Sequence, residues 1–222
     1  MTQGNVSVDL VMDFVCPWCW VGLRQWQTAL EKRPKVGVET LIRPYQLDST
    51  VPVEGVDYQS FMQAKFSGDG AERWQNMRDY LEELAPKAGI TFRFDEIKIR
   101  PNTLRAHRLM RWAGGQGLSF EAAEALFKAY FDELRDIGDV ETLAQLGESI
   151  GMDGMVVRDL LATNSDEGAV IEEEFFYRRL GVQGVPAYIF NGQFALSGAE
   201  SPDVLVQAID RAAKMPVLAE DE

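Results

Sequence analysis

The sequence has little cysteine and less histidine. Its 222 residues include two cysteines, Cys16 and Cys19, and one histidine, His107. Two cysteines exclude a disulfide framework. Together with a single histidine, they also exclude a four-thiolate zinc or iron–sulfur centre. We therefore expect no metal among the groups that this protein uses.

Positive charge is also scarce. The chain has 22 Lys and Arg against 35 Asp and Glu, so its net charge at pH 7 is −13. This average field would repel a phosphate backbone, and no basic stripe stands out along the chain. We therefore expect no nucleic-acid partner.

Long hydrophobic runs are absent. No apolar segment approaches the roughly 18 residues that cross a membrane. Residues 1–7 are polar and show neither the basic segment nor the cleavage site of a secretory signal. These absences predict a cytoplasmic protein without a membrane partner.

The N-terminal segment predicts a strand, a helix and a second strand. Apolar residues alternate over residues 6–14, and helical spacing follows Cys19 until Pro34. Alternation returns over residues 36–42. A strand, helix and strand in this order form a βαβ unit, so we expect the two strands to be parallel.

The rest of the chain predicts helices and then a return to strands. Helical spacing of apolar residues dominates residues 58–180. Two short apolar runs, 187–190 and 193–196, flank Asn191-Gly192, a dipeptide typical of a two-residue hairpin. Ser201-Pro202 then predicts the start of a last helix. The pattern indicates one α/β domain that a helical segment interrupts.

The two cysteines lie where the first strand gives way to the first helix, in Cys16-Pro17-Trp18-Cys19. Unpaired N–H groups and the helix dipole stabilise a thiolate there. Cys16, at the exposed end, would attack a partner disulfide, and Cys19 would attack the resulting mixed disulfide. Pro17 suits a first helical turn, and Trp18 offers an apolar surface beside the sulfurs.

Three other interpretations of the cysteine pair remain open. The pair could be half of a metal site, or the two residues could be buried packing cysteines. It could also form a structural disulfide, although the loop so closed is too short to stabilise the fold much. The position between an alternating strand and a helix favours a redox pair over all three.

A second segment of interest is Gly184-Val185-Pro186, directly before a predicted strand. Proline cannot donate to a strand ladder, so Pro186 suits the strand start. Most X–Pro bonds are trans, and the segment alone favours that isomer. A cis bond would leave the backbone of Val185 free to hold an extended peptide.

Four segments together resemble the DsbA-like branch of the thioredoxin superfamily, and within it the FrnE-like oxidoreductases. They occur in order across nearly the whole chain: residues 14–22, 102–108, 181–186 and 197–202. The resemblance implies an α/β thioredoxin fold interrupted by a large all-helical insertion. Residues 1–50 and 182–216 would form the thioredoxin-fold domain, and residues 51–181 the insertion.

The resemblance also implies roles for the site. Cys16 would be the nucleophile, Cys19 the resolving thiol, and Pro186 a cis-proline facing them. No cofactor beyond the Cys16–Cys19 disulfide is implied, and disulfide-containing proteins or glutathione would be the partners of a monomer or homodimer. DsbA proteins carry Cys-Pro-His-Cys, so Trp18 in place of that histidine predicts a milder redox couple.

His107 lies in the segment that, by the resemblance, faces the active-site cleft. It would bind substrate there or assist proton transfer. The alternative is a hydrogen-bonded structural histidine on a half-buried helix. The predicted substrate-binding residues are therefore five: Pro17, Trp18, Val185, Pro186 and His107.

Three functions compete at this point. The first is a thiol–disulfide oxidoreductase or isomerase. The second is a glutathione-dependent isomerase or transferase, because 2-hydroxychromene-2-carboxylate isomerases and kappa-class glutathione transferases belong to the same fold branch. Those enzymes place serine at the active position, so the cysteine pair argues against them. The third is a binding module that uses an apolar cleft near Trp18 and Trp20.

Overall fold

A four-stranded mixed sheet joins the two ends of the chain in the computed structural model, which describes residues 6–215. Residues 1–5 and residue 216, parts of the predicted thioredoxin-fold segments, lie outside the described residues. Strands and helices follow in this order: β1 Val6–Met12, α1 Pro17–Glu31, β2 Val38–Pro44, β3 Val56–Asp57, α2 Tyr58–Lys65, α3 Asp69–Leu84, β4 Ile99–Arg100, α4 Leu104–Gly114, α5 Ser119–Phe131, α6 Val140–Ser149, α7 Gly154–Leu161, α8 Glu167–Arg179, β5 Ala187–Phe190, β6 Phe194–Ser197 and α9 Pro202–Ala212.

The strand order of the sheet is β2-β1-β5-β6. Strands β1 and β2 are parallel, with Leu10 opposite Ile42, and the predicted βαβ unit is confirmed. Strand β5 runs antiparallel to β1 on its other side, with Tyr188 opposite Leu10. The start of α1 and the start of β5 therefore meet at the same end of the sheet.

Two strand boundaries differ from the sequence predictions. Strand β2 covers residues 38–44 and not 36–42, because the turn that follows α1 extends further along the chain. Asn191 and Gly192 both have positive φ, as their turn requires. Phe190 nevertheless lies opposite Phe194, so three residues and not two connect β5 to β6.

The two faces of the sheet have different coverings. Helices α1 and α9 cover one face, where Trp26 packs against Tyr188 and Phe190 with ring centroids 5.7 and 5.9 Å apart. On the other face, Val11 packs with Tyr177 of α8 in a smaller cluster. Each large apolar side chain that is buried in this way contributes about 1.5–3 kcal/mol.

Helices α2–α8 form the insertion between β2 and β5. Phe127 and Phe131 of α5 pack against Trp20, which joins the insertion to α1. The helical insertion is confirmed, but it also contains the short antiparallel pair β3 and β4. Two-residue strands show no alternation, so the sequence pattern could not predict them. No helix within residues 6–215 is long and apolar enough to span a bilayer.

Candidate active site

The cysteine pair lies at the start of α1, as predicted. Cys16 is the N-cap residue, with extended φ and ψ of −98° and 111°. Its N–H donates to the Asp13 carbonyl at 3.1 Å, and the Cys19 N–H donates to the Cys16 carbonyl at 3.0 Å. Pro17 occupies the first turn, where its missing N–H costs no helical hydrogen bond. The N–H end of the helix dipole therefore lies beside the Cys16 sulfur.

The two sulfurs have different environments. Both cysteines are free thiols; Cys16 is 5% exposed and Cys19 is fully buried. Burial raises the pKa of the Cys19 thiol well above its ordinary value, and the neighbouring Cys16 and the Asp13 charge raise it further. Cys19 is thus held as a thiol, and Cys16 is the sulfur that a partner reaches first.

The loop before β5 lies against the Cys16 sulfur. The Val185–Pro186 peptide bond is cis, the isomer that the resemblance implies. The Cys16 Sγ–H donates to the Val185 carbonyl oxygen at 3.6 Å, although 169 residues separate them. Within the described chain, the Val185 N–H has no hydrogen-bond acceptor. The structure thus brings Cys16, Val185 and Pro186 together.

Gly22 sets how closely α1 approaches this loop. A Cβ at this position would lie 2.6 Å from the Tyr188 hydroxyl and 2.9 Å from Pro186 Cγ. Any larger residue would therefore push the loop away from the helix. Tyr188 is buried here, and burial raises the pKa of its hydroxyl, as do the nearby Cys19 and Glu200.

Trp18 and Pro17 differ in what they can present to a partner. Pro17 was predicted to be part of the substrate-binding set. It is buried, so its ring is not on the surface that a substrate would contact. Trp18 is half-buried, and its ring lies 5.7 Å from that of Tyr80 on α3. Tyr80 is 55% exposed. The two rings form an apolar surface beside the cysteine pair. Trp18 belongs to α1, and Tyr80 belongs to the insertion.

Asp13 was not singled out from the sequence, yet it is fully buried three residues before Cys16. Its carboxylate accepts a hydrogen bond from the Leu47 N–H at 2.8 Å and lies 3.4 Å from His107 Nε2. Burial by itself opposes ionisation of Asp13. The contact with His107 and the charges of His107 and Arg100, together with the Leu47 N–H, outweigh burial and lower the pKa of Asp13.

His107 is not open to solvent beside Cys16. Its ring is buried and packs against Phe14 with centroids 5.0 Å apart. It also lines a cavity of about 700 Å³ between β2, α4 and α8, and Cys16 is not among the residues that line that cavity. The structural alternative for His107 therefore agrees with its burial and its contact with Asp13.

Arg100 is a second buried group that the sequence analysis missed. It donates to the Val15 carbonyl at 3.1 Å and forms an ion pair with Asp48, while its guanidinium lies over the Phe61 ring. Arg100 thus ties the insertion to the backbone residue directly before Cys16. A single arginine in a two-residue strand gives no sequence signal of this role, whereas an aspartate at the end of a buried strand could have marked Asp13.

This arrangement suits thiol–disulfide chemistry at Cys16 and Cys19. No group of three or more His, Cys, Asp or Glu side chains in residues 6–215 is placed to hold a metal ion. Two thiols three residues apart, one 5% exposed and one fully buried, can lose two electrons and two protons together to form a disulfide. The cis-proline loop adds an unpaired backbone N–H beside the Cys16 sulfur.

Comparisons with known proteins point in the same direction. A family model of the DSBA-like thioredoxin domain matches residues 7–210. The uncharacterized protein YwbO of Bacillus subtilis is 26% identical over 209 residues, which cover 92% of this chain and 96% of that protein. The crystal structure of a probable DsbA oxidoreductase from Streptomyces coelicolor is 27% identical, with a TM-score of 0.86, and covers 97% of this chain and 94% of that one.

Two more distant structures share the fold alone. A 2-hydroxychromene-2-carboxylate isomerase is 16% identical, with a TM-score of 0.70 over 92% of this chain and 95% of that one. DsbM of Pseudomonas aeruginosa, described as a cytosolic disulfide reductase and solved with glutathione, is also 16% identical. Its TM-score is 0.67 over 94% of this chain and 100% of that one. Both have the same overall fold as this chain.

Proposed function

The chain belongs to the family of DSBA-like thioredoxin domains, and from that premise we propose that it is a thiol–disulfide oxidoreductase whose redox pair is Cys16 and Cys19. The observation that carries the proposal is the position of the Cys16 sulfur. It lies at a helix start, 3.6 Å from the Val185 carbonyl of the cis-proline loop, with the Cys19 thiol buried behind it.

The reaction starts from the reduced pair. The Cys16 thiolate attacks one sulfur of a substrate disulfide, the substrate S–S bond breaks, and one substrate sulfur leaves as a thiolate that takes up a proton. Cys19 then loses its proton and attacks Cys16 Sγ in the mixed disulfide. The second substrate thiol leaves, and the Cys16–Cys19 disulfide remains, so the substrate gains the two electrons that the pair loses. The reverse sequence oxidises a dithiol substrate.

The raised pKa of Cys19 sets the order of the two exchange steps, so that Cys16 reacts first. A buried thiol with no charge does not compete with Cys16 for the first substrate sulfur. Once Cys16 is bound in a mixed disulfide, its own charge no longer opposes ionisation of Cys19. The resolving step therefore becomes easier only after the first step has occurred.

Substrate binding is assigned to the surface around Cys16. The free N–H of Val185 and its carbonyl suit an extended peptide, which would add to the loop by strand-like hydrogen bonds. Trp18, next to Tyr80, contributes an apolar contact beside the cysteine pair, and Pro186 shapes the loop. His107 is buried in contact with Asp13, and we assign it a structural role and not a contact with substrate.

We assign disulfide-containing proteins or glutathione as the partners, with no bound cofactor beyond the cysteine pair, and a cytoplasmic location. The structure of DsbM with glutathione and its description as cytosolic support these assignments.

A redox titration tests the function. The protein is equilibrated across ratios of reduced to oxidised glutathione, quenched with an alkylating reagent, and its free thiols are counted by mass. We expect one two-electron transition between a dithiol and a Cys16–Cys19 disulfide, which Cys16→Ser abolishes. Cys19→Ser should instead accumulate a mixed disulfide with glutathione on Cys16.

One outcome would overturn the proposal. If the wild-type protein forms no intramolecular disulfide at any ratio, the chain does not use a redox pair. A glutathione-dependent isomerase or transferase would then be the better assignment. Activity of that kind would require glutathione and survive Cys19→Ser.

A further inference from the structure

Helix α8 carries an exposed apolar face that the proposed chemistry does not use. Ile171, Phe175, Phe176 and Leu180 are 47%, 58%, 49% and 58% exposed. The opposite side of α8 is buried, with Tyr177 against the sheet. Four large apolar side chains on one surface helix are unusual for a monomer and typical of a contact surface.

Two opposite charges lie within this face. Glu172 and Arg179 are both exposed, and neither has an ion-pair partner among residues 6–215. The Arg179 guanidinium lies 5.6 Å from the centre of the Phe175 ring and is thus held within the face. The neighbouring acidic and basic residues of α8 are paired: Glu173 with Arg43, and Glu174 with Arg178.

The order of these six residues is symmetric about the Phe175–Phe176 peptide. Moving outward from that peptide in both directions, the chain meets the two phenylalanines, then Glu172 and Arg179, then Ile171 and Leu180. At 1.5 Å per residue, Glu172 and Arg179 lie equally far from the centre, about 5 Å on either side. Both point from the middle of the exposed face, since seven residues make nearly two helical turns.

We propose that this face is the contact surface of a homodimer in which α8 packs antiparallel on α8 of a second copy. A twofold axis that lies between the two helices, perpendicular to them and level with the Phe175–Phe176 peptide, places Glu172 opposite Arg179 of the partner subunit, and the same pair forms again by symmetry. The phenylalanine rings of the two copies meet at the centre. Ile171 lies at the same height along the helix axis as Leu180 of the partner subunit.

A second copy fits this face better than an apolar substrate does. An unfolded polypeptide needs exposed apolar area, but it does not need two opposite charges at equal distances from a centre. A face that carried charges of the same sign on both sides of its centre would repel a second copy in a twofold pairing. This face carries one negative and one positive charge, so it is complementary to a second copy of itself. The net charge of −13 per chain makes the two symmetric ion pairs more important for bringing the copies together.

The test is sedimentation equilibrium of the full chain from about 1 to 200 µM, with charge reversals. Wild type should dissociate with a single monomer–dimer equilibrium. Glu172→Arg and Arg179→Glu should each weaken the dimer at least about tenfold, because each change replaces two attractive pairs by two repulsive ones. The double variant Glu172→Arg/Arg179→Glu restores both pairs and should return the dissociation constant to within about threefold of wild type.

Two controls separate a dimer contact from a folding defect. Glu72→Arg makes the same change of charge at an exposed position of α3 and should leave the dissociation constant unchanged. Circular dichroism should show native helix content for every variant, since all the changed side chains are exposed. Phe175→Ser with Phe176→Ser should leave a folded monomer over the whole range.

Either of two results would overturn the inference. One is a wild-type chain that stays monomeric at 200 µM. The other is a dimer that single reversals weaken but the double reversal fails to restore. In the monomeric case, the face is left to an apolar polypeptide, and Phe175→Ser with Phe176→Ser should then slow reduction of a protein disulfide without slowing reduction of oxidised glutathione.

Discussion

The two sides of the cysteine pair are built by different means. On the side of β5, the contacts run between α1 and a loop: Gly22 admits Pro186, and the Cys16 sulfur meets the Val185 carbonyl. On the side of the insertion, buried charged side chains make the contacts, among them Arg100 and Asp13. The first side depends on close packing and the second on polar groups that must remain paired, so the two sides should respond differently to substitution.

The largest effect is expected on the insertion side, at Arg100. Arg100→Met leaves Asp48 without its buried partner and the Val15 carbonyl without a donor, and should lower the free energy of unfolding by about 3 kcal/mol. Urea unfolding measures this loss. Lys65→Met removes the other, more exposed partner of Asp48 and should cost less than about 1 kcal/mol. Equal costs for the two variants would contradict the distinction between buried and exposed pairs.

The next effect is expected on the loop side, at Gly22. Gly22→Ala places a methyl group against Pro186 and the Tyr188 hydroxyl, and should cost about 2 kcal/mol and slow disulfide exchange as the loop moves from Cys16. Tyr188→Phe removes the nearer of the two atoms. In the double variant, part of the stability should return, and a double-mutant cycle measures that coupling. Additive costs would show that Gly22 and Tyr188 do not oppose each other.

A smaller, pH-dependent effect is expected at Asp13. Its pKa is lowered in the folded protein, so its ionised form contributes stability above the ordinary pKa of about 3.9 that it has when unfolded. That contribution is lost as the pH falls through the folded pKa. Relative to Asp13→Asn, wild type should be more stable by about 1–2 kcal/mol at pH 6, and the difference should shrink below about pH 4. A difference independent of pH from 6 to 3 would mean that the Asp13 charge contributes nothing.

The smallest effect on stability is expected at Tyr80, on the exposed surface of the insertion. Tyr80→Ser should change the free energy of unfolding by less than about 0.5 kcal/mol. It should still reduce kcat/KM for a protein disulfide by about fivefold, because a substrate peptide loses an aromatic contact beside Trp18. Oxidised glutathione, which has no apolar side chain to place against the two rings, serves as the control substrate. An equal loss of kcat/KM for both substrates would show that Tyr80 is not part of the surface that binds protein substrates.

The same division separates what the sequence could predict from what it could not. Local signals predicted the helix start at Cys16, the turn at Asn191-Gly192 and the cap at Ser201, because each depends on residues within one turn of chain. The exact register of β6 and the pairing of β3 with β4 depend on which strands meet, and no local spacing encodes that.

The site shows the same limit. The cysteine spacing marked the redox pair, and the resemblance marked Pro186. The positions of Asp13 and Arg100 follow from how the insertion packs on β1. These two residues are 87 positions apart in the chain, so no local pattern relates them. His107 shows the cost of that limit: its place on a helix near the site was predicted, but its burial behind Asp13 was decided by packing against Phe14.

The distance along the chain between the two halves of the site bears on how the protein is made. The Cys16 sulfur and the Val185 carbonyl are 169 residues apart. At about 5–20 residues per second, a ribosome needs on the order of ten to thirty seconds between them. For most of that interval, the two thiols lack the loop before β5 that lies against Cys16. The nascent chain thus carries both thiols without this cover until Val185 has been synthesised, and a reducing compartment would keep them as thiols until then.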